Sequence, residues 1–293
     1  MDVKLLTHLS RHEIDDQRWD EAIQTSLNAR PYALTWYLDA VTPQWEALVY
    51  GDYEAVMPLP VKKRFGIRYY VQPRWTQQLG IFATRALPDD VVNAFWDALS
   101  HAVYALKINA ISPRGKECPN LILPLDKDYE TLQQAFHQNT RRNIRKAQAH
   151  PTTIDEMNQE AFLPFWRSLH REEQVLADTL TALATVATQH HAAHFYASQR
   201  DGKPTAAVMT IEACGRIVYL APASNERGKE ECAMFAVVDT LIRRNAESAT
   251  ILDFEGSQIP GVRRFYEGFG AQLEPYYLVE HLHPHWLVKL LHR

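Results

Sequence analysis

The segment LDFEGSQIPGVRRFYEGFGA, Leu252 to Ala271, is the part of the chain where residue types and spacing come nearest to chemistry. A strand pattern stops at Phe254, Glu255-Gly256 turns the chain, and Pro260-Gly261 opens a short helix bearing Phe265, Tyr266 and Phe269. A carboxylate just beyond a strand end can take a proton from an incoming ammonium, directly or through water. Glu255 stands there, although a turn carboxylate can equally be solvated or cap the helix that follows. Asp253 would point with Glu255 only if the strand continued, because residues two apart share a strand face. The three aromatics at helical spacing read, by themselves, as a core-facing stripe.

A second constellation is the basic run NTRRNIRKAQ, where Arg141 with Arg145 and Arg142 with Lys146 are paired at i,i+4, with no acid between Glu130 and Asp155. Like charges at that spacing repel by about 0.2–0.5 kcal/mol per pair. A phosphate, a polyanion or a tertiary carboxylate would relieve the repulsion, and so would solvation at a helix C-terminus before Pro151. In the first half, Gln72-Pro73-Arg74-Trp75-Thr76-Gln77-Gln78 interrupts strands with a guanidinium, an aromatic and amides. Arg74, Trp75 and Gln77 would suit a polar substrate pocket between the halves, or a surface loop anchored by Trp75. His281, His283 and His285 alternate near the end of the chain, but Pro284 and the lack of a neighbouring Cys argue against a metal. Cys118, Cys214 and Cys232 are widely spaced, which indicates neither a disulfide framework nor a zinc knuckle and fits a reducing, cytoplasmic setting.

These residues need elements to hold them, and 293 residues at roughly 150 per domain allow two domains. Charged residues make up 23% and hydrophobic ones 46%, so fibrous and disordered classes drop out. A net charge of -4 excludes nucleic-acid coating by bulk potential and leaves room for a local basic patch. No apolar run approaches the ~18 residues of a spanning helix. Periodicity predicts helices over Ile14–Asn28, Trp36–Val41 and Pro88–Leu106, with strands at Trp45–Tyr50, Tyr53–Val61, Ile67–Gln72, Gln78–Phe82, Ile108–Ser112 and Asn120–Leu125. The second half predicts helices at Gln159–Glu172 and Asp178–His191, and strands at His194–Gln199, Pro204–Ala213 and Arg216–Pro222. A long helix over Glu231–Ala246, a strand Thr250–Phe254, the short helix Gly261–Gly268 and a strand pair near Gln272–Leu282 complete it. Helices, strands, helix and strand recur in one order in both halves. The expected organisation is a mixed α/β domain over 1–125, a basic connector helix over 126–150, and a second α/β domain over 151–293.

Strand, acid, turn and a helix ending F-Y-x-x-F-G resembles the last βαβ of the GNAT superfamily, and the basic R-x-N-I-x-x-A helix before the second half is similar to that of its FemAB-like branch, in which two GNAT-type folds share one chain. The resemblance implies two tandem GNAT-like domains with a mixed α/β sheet and transfer of an acyl or aminoacyl group to an amine. It implies that Tyr266 protonates the leaving group, with Glu255 as a base for the ammonium. It also implies acyl-CoA or aminoacyl-tRNA as donor and a small-molecule or peptide amine as acceptor. A tRNA or an acyl carrier would then be a partner, Arg142 and Arg145 would be anion contacts, and no metal is expected.

The same resemblance shows departures. GNAT enzymes that use acetyl-CoA hold its pyrophosphate with a Q/R-x-x-G-x-G/A loop at a helix N-terminus, whereas this chain reads SNERGKEECAMF: Arg227 and Gly228 are present, followed by Glu230 and Glu231. Acids there suit the helix dipole and repel a pyrophosphate. The fourth strand, Tyr219-Leu220-Ala221, should offer N–H groups to the reacting carbonyl, but it runs into Pro222, which has none. Fem peptidyltransferases carry a lysine where Tyr266 stands, and the helix at Trp36–Val41 offers no lysine for a uridine nucleotide. A catalytically silent GNAT-fold binding module is therefore the rival expectation.

Overall fold

The computed structural model describes residues 6–99, 102–150, 152–256 and 259–282. In chain order the elements are β1 (Leu6–Ser10), α1 (Asp16–Gln24), α2 (Thr35–Val41), β2 (Trp45–Tyr50), β3 (Ala55–Arg64), β4 (Ile67–Val71), β5 (Phe82–Ala83), α3 (Asp89–Asp97), β6 (Ala102–Ile108) and β7 (Lys116–Pro124). They continue as α4 (Tyr129–Gln134), α5 (Gln138–Gln148), β8 (Thr153–Glu156), α6 (Gln159–Leu169), α7 (Gln174–Gln189), β9 (Ala193–Arg200), β10 (Lys203–Ala213) and β11 (Arg216–Ser224). The last are α8 (Glu226–Glu230), α9 (Ala233–Asn245), β12 (Ile251–Asp253), α10 (Pro260–Glu267) and β13 (Gln272–Leu282). No helix among the described residues is long and apolar enough to cross a membrane.

The described residues form two compact units, one from those up to Cys118 and from Pro275 onward, the other from Pro119–Glu274. The expected boundaries near 125 and 150 differ from this division for two packing reasons. Residues Ile122–Pro124 of β7 pair with β12, and the basic helix α5 packs on α9, with Thr140, Ile144 and Ala147 buried. The basic helix is thus an integral part of the second unit. The chain also returns to the first unit, where Tyr277–Leu282 of β13 pairs antiparallel with β6.

In the first unit β1, β2, β3 and β4 pair antiparallel in succession and β6 joins β4 in parallel. Its core gathers Leu48, Met57, Leu59, Tyr70, Phe95 and Leu106. The predicted helix over Pro88–Leu106 ends early, at Asp97, and Ala102–Ile108 is a strand. Val103 and Leu106, three apart, fit a helical face, but Val, Tyr and Ile favour a pleated, buried surface and the sheet decides. Ile108–Ser112 accordingly holds only the end of β6, and β1 and β8 were not expected.

The second unit follows the prediction more closely. Asp201-Gly202 and Cys214-Gly215 both have positive φ at two successive residues, the turn geometry that matches strand twist, and they close the β9–β10 and β10–β11 hairpins. β11 and β12 run parallel, with α8 and α9 as the crossover between them. Leu241, Ile242, Leu252, Phe254 and Phe269 form the core beneath this crossover.

Candidate active site

A hollow of about 380 Å³ opens in the second unit between the end of β11, the α8–α9 junction and α10. Its shape begins in a strand defect. Met209 pairs with Leu220 and Ala207 with Ala223, so Val208 faces two residues, Ala221 and Pro222. Ala221 sits at φ 52°, a left-handed conformation costing roughly 1–2 kcal/mol in a residue with a Cβ. Such a bulge bends its strand and interrupts the ladder. The hollow lies where this happens, lined by Tyr219, Pro222, Ala223 and Ser224.

Tyr266 lines the opposite side on α10, a helix that starts with Pro260, whose fixed φ suits a first turn. Its ring stacks on Phe254 at 4.8 Å and 22° and meets Tyr219 edge-on at 5.9 Å. The side chain is therefore both packed and exposed to the hollow, at 7% overall exposure. Among the described residues no group hydrogen-bonds its hydroxyl. Burial, and then the charge of Glu255, raise its pKa well above the ordinary tyrosine value, so the phenol stays protonated. Burial, and then the charge of Tyr266, raise the Tyr219 pKa as well, and among the described residues its hydroxyl has no hydrogen-bond partner.

Glu255 does not line the hollow, yet it is near enough for its charge to act on Tyr266. β12 ends at Asp253, and Glu255 and Gly256 take φ of 60° and 63°. Only glycine fits at Gly256, because a Cβ would stand 2.2 Å from the Pro119 carbonyl oxygen. The Glu255 N–H donates to Asp253 Oδ1 at 3.0 Å, while Arg216 Nη1 donates to Asp253 Oδ2 at 2.9 Å and Nη2 to Glu274 Oε1 at 2.8 Å. Asp253 is wholly buried, so Arg216, which escaped notice in the sequence, neutralises it and holds the turn that presents Glu255. Its place right after the Cys214-Gly215 turn carries no signal of a partner 37 residues on.

At the third wall, Asn225 caps α8 by accepting from the Gly228 N–H at 2.8 Å. Gly228 lines the hollow and touches β10 so closely that a Cβ would meet the Thr205 carbonyl oxygen at 2.2 Å. Arg227 is committed to Glu231 at 3.0 Å and Asp201 at 3.3 Å, and Lys229 to Glu226 at 2.7 Å. Cys232, at φ 58°, breaks α8 from α9 and also faces the hollow.

The other expected residues lie elsewhere. Arg145 lines a separate hollow in the second unit, whereas Arg142 is absent from that lining and donates to Asn139 Oδ1 at 2.6 Å. In the first unit Arg74 is exposed and Gln77 buried, the Trp75 carbonyl accepts from the Tyr37 hydroxyl, and the Thr76 carbonyl accepts from Gln72 Nε2 at 2.9 Å. Gln72 Oε1 accepts from the Lys107 N–H at 2.9 Å and Gln78 Nε2 donates to Gln77 Oε1 at 2.9 Å, so these amides are held by β6 and by one another. His283 and His285 lie outside the described residues, as does the side chain of His281.

Comparison with known proteins places this geometry in context. The family model for the acetyltransferase (GNAT) domain matches residues 134–258. No curated protein matches the sequence. Among solved structures, FemX superposes with a TM-score of 0.71 at 14% identity, covering 98% of this chain and 100% of FemX. A tandem GNAT protein from the clavulanic acid biosynthesis pathway gives 0.54 at 11% identity, covering 94% of this chain and 98% of that one. The C-terminal domain of a putative lysylphosphatidylglycerol synthetase from Agrobacterium fabrum gives 0.56 at 11% identity, covering 94% and 95%.

Proposed function

We propose that this chain, which has the tandem GNAT fold of FemAB-like proteins, is an N-acyltransferase that moves an acyl or aminoacyl group to an amine at the Tyr266 hollow. One observation carries the reading: a buried phenol, kept neutral, faces a hollow of substrate size with no partner on its hydroxyl among the described residues. In the reaction the amine nitrogen bonds to the carbonyl carbon of a thioester or ester, and the bond to sulfur or oxygen breaks. The leaving atom takes the Tyr266 proton, and Glu255 takes the proton shed by the amine, directly or through water. General acid catalysis of this kind contributes about 10²–10⁴-fold. The match of residues 134–258 to the GNAT acetyltransferase domain supports acyl transfer as the reaction class.

The donor is an acyl-CoA, an acyl carrier or an aminoacyl-tRNA. Arg227 held by Glu231 and Asp201 speaks against a conventional CoA pyrophosphate grip, and the likeness to a lysylphosphatidylglycerol synthetase favours an aminoacyl donor. Those same ion pairs favour the rival reading, a catalytically silent binding module. Thermal-shift measurements against acetyl-CoA, long-chain acyl-CoAs, acyl carrier protein and charged tRNA separate the two, because a ligand that binds only the native state raises apparent stability. A stabilising donor that is consumed in the presence of amines supports the transferase. A stabilising donor that no amine discharges supports the silent module.

A further inference from the structure

The second hollow of the Pro119–Glu274 unit, about 420 Å³, stands apart from the residues given a role in acyl transfer and has different chemistry. Arg141 and Arg145, one turn apart on α5, line it together with Arg243 from the last turn of α9, and the amides of Gln133, Gln138 and Gln148 complete the wall. The two helices hold their spacing because Ile144 and Ala147 are buried where α5 packs on α9. Arg243 is fixed in place: its guanidinium lies 3.7 Å from the centroid of the Tyr129 ring. The Tyr129 hydroxyl is in turn tied down, donating to Asp239 Oδ1 and accepting from Gln133 Nε2 at 2.6 Å. Asp239 offsets part of the Arg243 charge. Arg141 and Arg145 ion-pair with no acid among the described residues.

Three guanidinium groups on one concavity repel one another unless an anion joins them. A carboxylate has two oxygens and one charge, enough for a single guanidinium fork. A phosphate offers three or four oxygens and up to two charges, and guanidinium forks match its geometry. Glutamine amides beside the forks supply donors and acceptors for ester and sugar oxygens. We propose that the Arg141–Arg145–Arg243 hollow is a phosphate-binding site, taking either a phosphodiester of an RNA backbone or the phosphate of a small nucleotide-like ligand. Arg142 and Lys146, on the same helix and outside the hollow, serve as an internal control.

The test uses the full chain, calorimetry with inorganic pyrophosphate, and anisotropy of a short labelled RNA hairpin at low salt. Pyrophosphate is expected to bind wild type, and the R141Q/R145Q pair to weaken it by about tenfold or more. The melting temperature should not move, because both side chains are exposed. The R142Q/K146Q pair removes the same charge and is expected to leave pyrophosphate affinity near wild type. RNA that pyrophosphate displaces, with a log–log salt slope near -0.7 per contacted phosphate, identifies the backbone as the source. RNA that fails to bind or is not displaced identifies a small phosphorylated ligand. Absence of pyrophosphate binding, or equal weakening by the two charge-matched pairs, overturns the site. Neither result bears on Tyr266, so the acyl-transfer reading stands or falls separately.

Discussion

The two hollows of the second unit hold similar volumes, about 380 and 420 Å³, and are built by opposite means. The one at Tyr266 is walled by aromatics and small residues, and its backbone is forced into left-handed conformations at Ala221 and Cys232. Its shape depends on buried pairs and on Gly228, where a Cβ would meet the Thr205 carbonyl oxygen. The arginine hollow lies on the regular helices α4, α5 and α9, and its three arginines are exposed. The lesson is that the first site is specified by the fold and resists change, whereas the second is specified by charge and can be altered at little structural cost.

The contrast can be broken most forcefully at Arg216. Replacing it by leucine leaves Asp253 buried and uncompensated, so stability should fall by about 3–5 kcal/mol in chemical denaturation. A loss below about 1 kcal/mol would show that the turn at Glu255 does not depend on this pair. Gly228→Ala drives a Cβ against the Thr205 carbonyl and should cost about 1–3 kcal/mol, whereas Gly261→Ala meets nothing within 4 Å and should be neutral or slightly stabilising. Equal effects at the two glycines would deny that α8 is pressed on β10.

Alkaline pH should act through the second unit's buried tyrosines, Tyr129 beneath Arg243 as well as those at the aromatic hollow. The folded pKa values of Tyr266 and Tyr219 are raised, and Tyr196 is pushed up to about 12. Groups raised in the folded state contribute fully below the unfolded value, about 10 for tyrosine, and lose that contribution as pH rises toward the folded one. Stability should therefore be flat in these groups below pH of about 10 and fall above it by up to about 1.4 kcal/mol per unit per tyrosine. Tyr219→Phe removes a buried hydroxyl without a partner among the described residues and should leave stability unchanged or raise it by about 1 kcal/mol, while weakening the alkaline loss. The smallest effect is expected at the arginine hollow, where R141Q/R145Q should change stability by no more than about 0.5 kcal/mol.

The sequence made much of this legible and hid specific parts. Asp201-Gly202 and Cys214-Gly215 declared their hairpins because few other pairs tolerate two positive φ values. The F-Y-x-x-F-G helix pointed to Tyr266, and the resemblance to the tandem GNAT fold is borne out by FemX and a tandem GNAT protein. The bulge at Ala221 was not readable, since alanine announces no left-handed residue. Arg243 went unnoticed for a different reason: its relation to Arg141 and Arg145 exists only once α5 packs on α9. The return of the chain through β13 to the first unit was equally invisible, because pairing with β6 depends on a strand that the helical spacing of Val103 and Leu106 concealed.

The central claim is that Tyr266 protonates the leaving group, and its most direct test is turnover of Tyr266→Phe with the donor that stabilises the wild-type chain. The change removes one hydroxyl that has no partner among the described residues, so melting temperature and donor affinity should stay near wild type. Turnover should fall by about 10²-fold or more, and further with an ester donor than with a thioester, because an alkoxide is the more basic leaving group and needs the proton more. Equal turnover of Tyr266→Phe and wild type would contradict the claim and leave Tyr266 as an aromatic of the core.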